Sequence, residues 1–282
     1  MPLDTTPPAP NEAAAELDHT FRTVRSEGRA ALAAYLPVGY PTFRQSLATL
    51  HALGQHAEVL ELGVPYSDPL LDGPTIQLAT AQALRAGFRL HHLFAAVREL
   101  RASSPASLLI MTYWQPVAHY GPDRFSADLV QAGAAGAIIP DLPLEEAQPW
   151  LLAARTHGLH TVPLVAPHAH TARLASVCAA ATGMIYVPAA RAVSGHTGPL
   201  DPGLPHTVER LRGITTLPIA VGIGLSTAEA AAQVSHYADA VIVGSALIRL
   251  LQATPGPAGI AAAAALASEL AAGARSPTRA AA

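Results

Sequence analysis

The chain contains no lysine: all seventeen basic residues among its 282 residues are arginine. A Schiff-base aldolase needs a lysine amine to condense with a carbonyl group, and an enzyme that uses pyridoxal phosphate needs one to hold the cofactor. The absence of lysine excludes both chemistries for this chain alone. It also excludes the type of phosphate-binding loop that depends on a lysine side chain.

Charged residues and cysteine are scarce as well. Only 13% of residues are charged, the net charge is −3, and no basic cluster supports binding to nucleic acid. The single cysteine, Cys178, excludes an internal disulfide and favours a reducing compartment, so we expect a cytoplasmic protein. The most apolar stretch, residues 260–270, is mostly alanine and contains Glu269. It predicts a terminal helix that docks through Ile260, Leu266 and Leu270, and no membrane span is expected.

Short apolar runs alternate with helical patterns along the chain, and half of all residues are hydrophobic. Continuously apolar runs are typical of parallel strands that are covered on both faces. The predicted strands are residues 31–36, 59–62, 108–112, 136–140, 161–165, 184–187, 218–221 and 240–243. The predicted helices are residues 45–53, 76–86, 90–101, 124–133, 145–156, 172–180, 207–211, 228–236 and 260–270.

Eight strand–helix units with short connections predict an α/β fold, a single-domain (β/α)₈ TIM barrel over residues 19–274. The alternative is a doubly wound open sheet, but no strong Gly-x-Gly-x-x-Gly pattern follows the first strand. Residues 1–18 are predicted to be a flexible N-terminal tail, because the start of the chain is rich in proline and alanine. Residues 275–282 are predicted to be a flexible C-terminal tail.

The most informative segment is residues 60–74, LELGVPYSDPLLDGP, which joins the second strand to a loop. Glu61 lies within an apolar strand, where a buried carboxylate costs several kcal/mol unless it has a partner or takes up a proton. The loop can bring Asp72 back over the end of the strand. Two carboxylates in different environments can divide the roles of proton donor and charge stabiliser. Taken alone, these residues also fit an exposed strand-end glutamate and a turn aspartate.

The same segment resembles the signature of the tryptophan synthase alpha subunit family, and the match extends over roughly residues 30–251. The resemblance implies a TIM-barrel lyase of tryptophan biosynthesis. It would cleave indole-3-glycerol phosphate to indole and glyceraldehyde 3-phosphate without a metal or an organic cofactor. It also implies that Glu61 and Asp72 are the catalytic pair and that a beta subunit is the partner, in a heterotetramer.

Glycines follow the seventh and eighth predicted strands, in residues 222–224 and at residue 244. Glycine lets the backbone approach an anion closely, and a following helix directs its free N–H groups at that anion. A phosphate between these two loops is a recurring feature of TIM barrels, although either glycine turn alone could simply be a tight turn. The resemblance assigns the substrate phosphate to Gly195, Gly224, Gly244 and Ser245.

An apolar pocket with a few polar groups suits a bicyclic aromatic ring. The spacing of the apolar residues at the strand ends, taken alone, predicts that they belong to the barrel core. The resemblance instead places a set of them around the indole ring: Tyr35, Met111, Ile138, Leu164, Tyr186 and Ile223. It also places Tyr113 near the active site and gives Asp141 a supporting or interface role.

The chain departs from the family pattern in two places. In the loop of residues 188–198, Ser194 stands where the family has a threonine that contacts the catalytic aspartate, unless Thr197 is the true equivalent. A serine hydroxyl can still donate to Asp72. Gln115 stands where the family has asparagine on the surface that faces the beta subunit. Three alternatives therefore stay open: a stand-alone lyase that releases free indole, a non-catalytic barrel that activates a beta-type partner, and another phosphate-binding barrel enzyme.

Overall fold

The computed structural model describes residues 9–166, 168–189, 200–222 and 224–275. The described residues form eight strands: β1 (Ala31–Pro37), β2 (Val59–Gly63), β3 (Ser107–Met111), β4 (Gly136–Ile138), β5 (His160–Val162), β6 (Ile185–Pro188), β7 (Ile219–Gly222) and β8 (Ala240–Val243). They also form twelve helices: α1 (Glu12–Ser26), α2 (Phe43–Leu53), α3 (Pro74–Arg85), α4 (Leu90–Ser103), α5 (Trp114–Tyr120), α6 (Pro122–Ala132), α7 (Gln148–Thr156), α8 (Thr171–Ala180), α9 (Leu204–Arg212), α10 (Ala228–Ser235), α11 (Ser245–Ala253) and α12 (Pro257–Ala274).

The eight strands run parallel in the order β5-β4-β3-β2-β1-β8-β7-β6. Two hydrogen bonds bring the outer strands together, because the Tyr186 N–H donates to the Pro163 carbonyl (3.1 Å) and the Val165 N–H donates to the Tyr186 carbonyl (2.9 Å). Every predicted strand and helix coincides with an observed one. The predicted TIM barrel is therefore confirmed.

The N-terminal end of the barrel is covered by α1, which corrects the predicted tail. Residues 12–18 are helical, and the helix begins after Asn11, whose side chain accepts the Ala14 N–H (3.0 Å). Leu17, Phe21 and Val24 are buried with the residues that fill the barrel interior. These residues are three or four positions apart, so one helical stripe is apolar and closes the barrel from below. Residues 1–8 lie outside the described residues.

Charged side chains at this end are paired. Asp239, immediately before β8, is fully buried and accepts from the Arg25 guanidinium (2.9 and 3.0 Å), from Arg212 and from the Ile219 N–H (2.8 Å). His160, the first residue of β5, lies 3.0 Å from an Asp18 carboxylate oxygen. These contacts tie α1 and α9 to the starts of the strands.

The C-terminal helix α12 packs against α2, α10, α11 and β1. As predicted, Leu270 is fully buried and Ile260 and Leu266 pack against the core. Among the described residues, α12 is the one helix whose length and composition would let it cross a membrane, a property that buried core helices share. It ends at Ala274, and residues 276–282 lie outside the described part of the chain.

Candidate active site

Glu61 lines a pocket at the C-terminal end of the barrel. It is the middle residue of β2, beside Tyr35 of β1 and Leu109 of β3, and all three are buried. Neither carboxylate oxygen of Glu61 has a hydrogen-bond partner within the described residues. Burial raises the pKa of Glu61 from 4.5 to about 8. The side chain therefore keeps its proton at neutral pH, as a proton donor must.

Asp72 lies in the loop between β2 and α3 and is 8% exposed. The Tyr113 hydroxyl donates to its Oδ2 (3.2 Å) and accepts the Leu71 N–H (3.1 Å). Burial raises the pKa of Asp72 from 3.8 to about 6, while the hydrogen bond from Tyr113 lowers it. Gln77 donates to the Asp72 carbonyl (2.8 Å), which holds the loop over the strand end. At neutral pH Asp72 is ionised while Glu61 is neutral.

One narrow pocket brings the two carboxyl groups together with most of the described residues predicted for the site. Its free volume is about 40 Å³, well below the range typical of small-molecule sites, so the side chains that line it must move to admit a substrate. The lining residues are Tyr35, Glu61, Asp72, Ile76, Met111, Tyr186, Gly224, Leu225, Ile242, Gly244, Ser245, Ala246 and Arg249.

Two buried tyrosines form an apolar wall of the pocket. Tyr35 is 8% exposed and Tyr186 is 4% exposed, and burial raises the pKa of both hydroxyls. A Cβ atom at Gly244 would lie 2.8 Å from the Tyr35 ring, and one at Gly63 would lie 2.5 Å from the Tyr35 hydroxyl. These two glycines therefore make room for the Tyr35 side chain. This packing explains why Gly244 is a glycine without reference to phosphate binding.

The opposite end of the pocket is formed by the loops that follow β7 and β8. Gly224 has a φ of +91°, which favours glycine. Gly244 is the N-cap of α11, so the first N–H groups of that helix, beginning at Ser245, are free of intrahelical acceptors. The helix after β7 begins only at Ala228. The N-terminus beside the pocket is therefore that of α11, where an anion is favoured.

Four other described residues of the prediction, Ile138, Leu164, Tyr113 and Asp141, do not line this pocket. Ile138 is fully buried in the barrel interior, so the structure does not place it on the pocket wall. Leu164 and Tyr113 line a separate apolar cavity of about 600 Å³ against α7 and α8. Asp141 accepts the Trp114 N–H (2.8 Å), which supports the start of α5. The remaining residues of the prediction lie outside the described residues: Ser194, Gly195, Thr197 and Ile223.

The structure adds pocket residues that the sequence interpretation missed. Ile242 alternates with Ala240 along β8, and both pack among the residues of the barrel interior, a pattern that could have indicated Ile242. Arg249 lies four residues after Ser245 on α11, which puts both side chains on one helical face. Within the described residues, no group of three or more His, Cys, Asp or Glu side chains converges as metal ligands would.

A (β/α)₈ barrel that holds a neutral and an ionised carboxyl group in one pocket, beside the N-terminus of a helix, has the arrangement of an acid–base enzyme. The family model for the tryptophan synthase alpha chain matches residues 21–275. The tryptophan synthase alpha chain of Streptomyces avermitilis is 45% identical over 92% of this chain and 94% of that protein. A Mycobacterium tuberculosis tryptophan synthase structure superimposes with a TM-score of 0.86 at 42% identity, covering 92% and 98% of the two chains. The structure of a mutant tryptophan synthase alpha subunit from Pyrococcus furiosus superimposes with a TM-score of 0.79 at 32% identity, covering 86% of this chain and 98% of that one. This chain belongs to the tryptophan synthase alpha chain family.

Proposed function

We propose that the protein is a carbon–carbon lyase that cleaves indole-3-glycerol phosphate to indole and glyceraldehyde 3-phosphate, as the alpha subunit of a tryptophan synthase. The observation that carries this proposal is the pair of Glu61 and Asp72 in one pocket with divergent pKa values of about 8 and about 6. A pair of titratable groups whose environments separate their pKa values assigns one acid and one charged stabiliser.

In the reaction, Glu61 gives its proton to C3 of the indole ring. The positive charge that develops on the ring is stabilised by the Asp72 carboxylate, which accepts a hydrogen bond from the indole N–H. The glycerol hydroxyl next to the ring loses its proton, its oxygen forms the new carbonyl, and the carbon–carbon bond electrons pass to the ring. The hydroxyl proton restores the proton that Glu61 gave up, so the enzyme is unchanged after one turnover.

The phosphate end supplies binding energy remote from the bond that breaks. Backbone groups of Gly224, Gly244 and Ser245 would hold the phosphate, and Tyr35, Met111 and Tyr186 would pack on the ring. Ser194, Gly195 and Ile223 are proposed to complete the site on the strength of the family resemblance. The same resemblance makes Ser194 or Thr197 the hydroxyl that reaches Asp72 when substrate is bound.

We also propose that the protein is cytoplasmic and passes indole to a beta subunit in a heterotetramer. Leu70 and Leu71 are 74% and 42% exposed directly beside Asp72, and such apolar exposure suits a partner at the mouth of the barrel. Gln115, which departs from the family pattern, is exposed on α5, two residues after Tyr113, whose hydroxyl donates to Asp72.

The direct test is to incubate the purified chain with indole-3-glycerol phosphate, with and without a beta subunit, and to measure indole. We expect indole to form slowly with the chain alone and faster with the partner. Equal rates would indicate a stand-alone lyase. No indole in either case, together with acceleration of the partner's own reaction, would indicate a non-catalytic activator.

A further inference from the structure

Arg249 is a cationic side chain at the end of the pocket where the phosphate is proposed to bind. A phosphate site made only of backbone groups gives this side chain no role. It lines the pocket together with Gly224, Gly244 and Ser245. It is half-buried on α11, one helical turn after Ser245. Helical side chains lean towards the N-terminus of their helix, a tendency that would bring the guanidinium close to the turn where the free N–H groups of α11 lie.

Nothing among the described residues accounts for this charge. Arg25 and Arg212, by contrast, both donate to the buried carboxylate of Asp239. No described carboxylate lies within 4 Å of the Arg249 guanidinium. Arg249 also lines an open cavity on the outer face together with Glu269, but the two side chains form no salt bridge. An arginine that lines a pocket and has no carboxylate partner suits an anionic ligand.

The two ends of the pocket also differ in polarity. Burial alone raises the pKa of Glu61, and burial together with Tyr113 sets that of Asp72. Arg249 is on α11, whereas the two carboxyl groups are on β2 and in the loop that follows it. A substrate with an uncharged ring at one end and a dianion at the other matches this arrangement.

We infer that Arg249 is a specificity-determining residue that binds the phosphate of the substrate and selects phosphorylated over unphosphorylated indole glycerol. The inference rests on the proposed function and deepens it, because it adds a side-chain charge to a phosphate site built from backbone N–H groups. A guanidinium forms stronger, charge-assisted hydrogen bonds with phosphate than a neutral donor forms. Arg249 acts on substrate binding and not on the proton transfers.

The test compares Arg249→Gln, Arg249→Lys and the control Arg98→Gln, which removes an exposed arginine of α4 outside the pocket. Each protein is assayed with indole-3-glycerol phosphate and with unphosphorylated indole-3-glycerol. For Arg249→Gln we expect kcat/KM to fall roughly 10- to 100-fold with the phosphorylated substrate, mainly through KM, and to stay unchanged with the other. Arg249→Lys should recover most of the loss, and Arg98→Gln should match the wild type with both substrates.

An equal loss with both substrates would show a structural role on the α11–α12 face and would overturn the inference. A variant that matches Arg98→Gln would overturn it as well. A second measurement does not depend on the proposed reaction. Calorimetric titration with glycerol 3-phosphate measures phosphate binding directly, so it tests Arg249 even if the protein does not cleave indole-3-glycerol phosphate. Weaker binding by Arg249→Gln than by the wild type supports the inference, and equal binding, or no binding by the wild type, contradicts it.

Discussion

Within the described part of the chain, each end of the barrel buries one acidic side chain completely, and the two have opposite surroundings. At the N-terminal end, Asp239 accepts hydrogen bonds from two arginines and a backbone N–H. At the C-terminal end, Glu61 is equally inaccessible and has no partner within the described residues. A buried ionised group without a partner is so costly that it takes up a proton instead.

The difference separates stability from chemistry within one fold. Asp239 joins α1, α9 and the start of β8, so its charge holds the chain together. Glu61 has no hydrogen-bond partner among the residues that the structure describes, and burial gives it a pKa of about 8, the range that suits proton transfer at neutral pH. A group left unsatisfied in a folded core costs stability, and the pocket is where that cost serves the reaction.

The largest expected effect comes from Glu61→Gln, which keeps the shape of the side chain and removes the transferable proton. We expect kcat to fall roughly 10²- to 10⁴-fold, because a positioned acid contributes about that much. The melting temperature should be equal to or higher than that of the wild type. Steady-state assay and thermal unfolding on the same preparations check both halves; a variant with most of its turnover would remove Glu61 from the mechanism.

Asp239→Asn should give the converse result at the other end of the barrel. Removing the charge of one partner in a buried ion pair lowers the free energy of unfolding by about 3–5 kcal/mol. Activity per folded molecule should be nearly unchanged, because Asp239 lies at the far end from the pocket. Urea unfolding measures the loss, with Arg124→Ala as the control: its pair with Asp128 is surface-exposed and worth less than about 1 kcal/mol. Equal effects from the two variants would contradict the assigned role of Asp239.

The stability of the wild type should depend on pH through Glu61. Between about pH 4.5 and 8 the unfolded chain has lost this proton while the folded protein keeps it. The folded state therefore binds more protons in this range, and stability decreases as the pH rises, by on the order of a few kcal/mol in total. Glu61→Gln lacks this slope. Urea unfolding from pH 5 to 8.5 should show the stability difference between the two proteins widening with pH; a constant difference would contradict the assignment.

Tyr113→Phe should have the smallest effect of these four predictions. It removes the hydroxyl that donates to Asp72, a bond whose loss costs about 1 kcal/mol, so kcat/KM should fall only about 3- to 10-fold. Because that bond lowers the pKa of Asp72, its removal should move the acidic limb of the pH–rate profile upward from about pH 6. A lower rate with an unmoved limb would show that Tyr113 acts by packing alone.

The sequence predicted the barrel well because buried parallel strands appear as continuous apolar runs, as they do in β1, β4, β6, β7 and β8. It missed α1 because proline and alanine at the start of the chain obscured the apolar stripe of Leu17, Phe21 and Val24. Within the site it paired Glu61 with Asp72. It could not separate pocket wall from barrel core, because Met111 and Ile138 are register partners on adjacent strands and only Met111 lines the pocket. It also passed over Arg249, whose role depends on what its helix faces.

The central claim, that isolation makes Glu61 a neutral acid, can be tested by titrating Glu61 itself. Selective ¹³C labelling of glutamate carboxyl groups gives a signal that changes on ionisation, and the signal absent from Glu61→Gln identifies the residue. We expect this carboxyl group in the free protein to be protonated at pH 6.5 and to titrate near pH 8. A resonance already ionised at pH 6 would contradict the account, because Glu61 would then hold no proton to give.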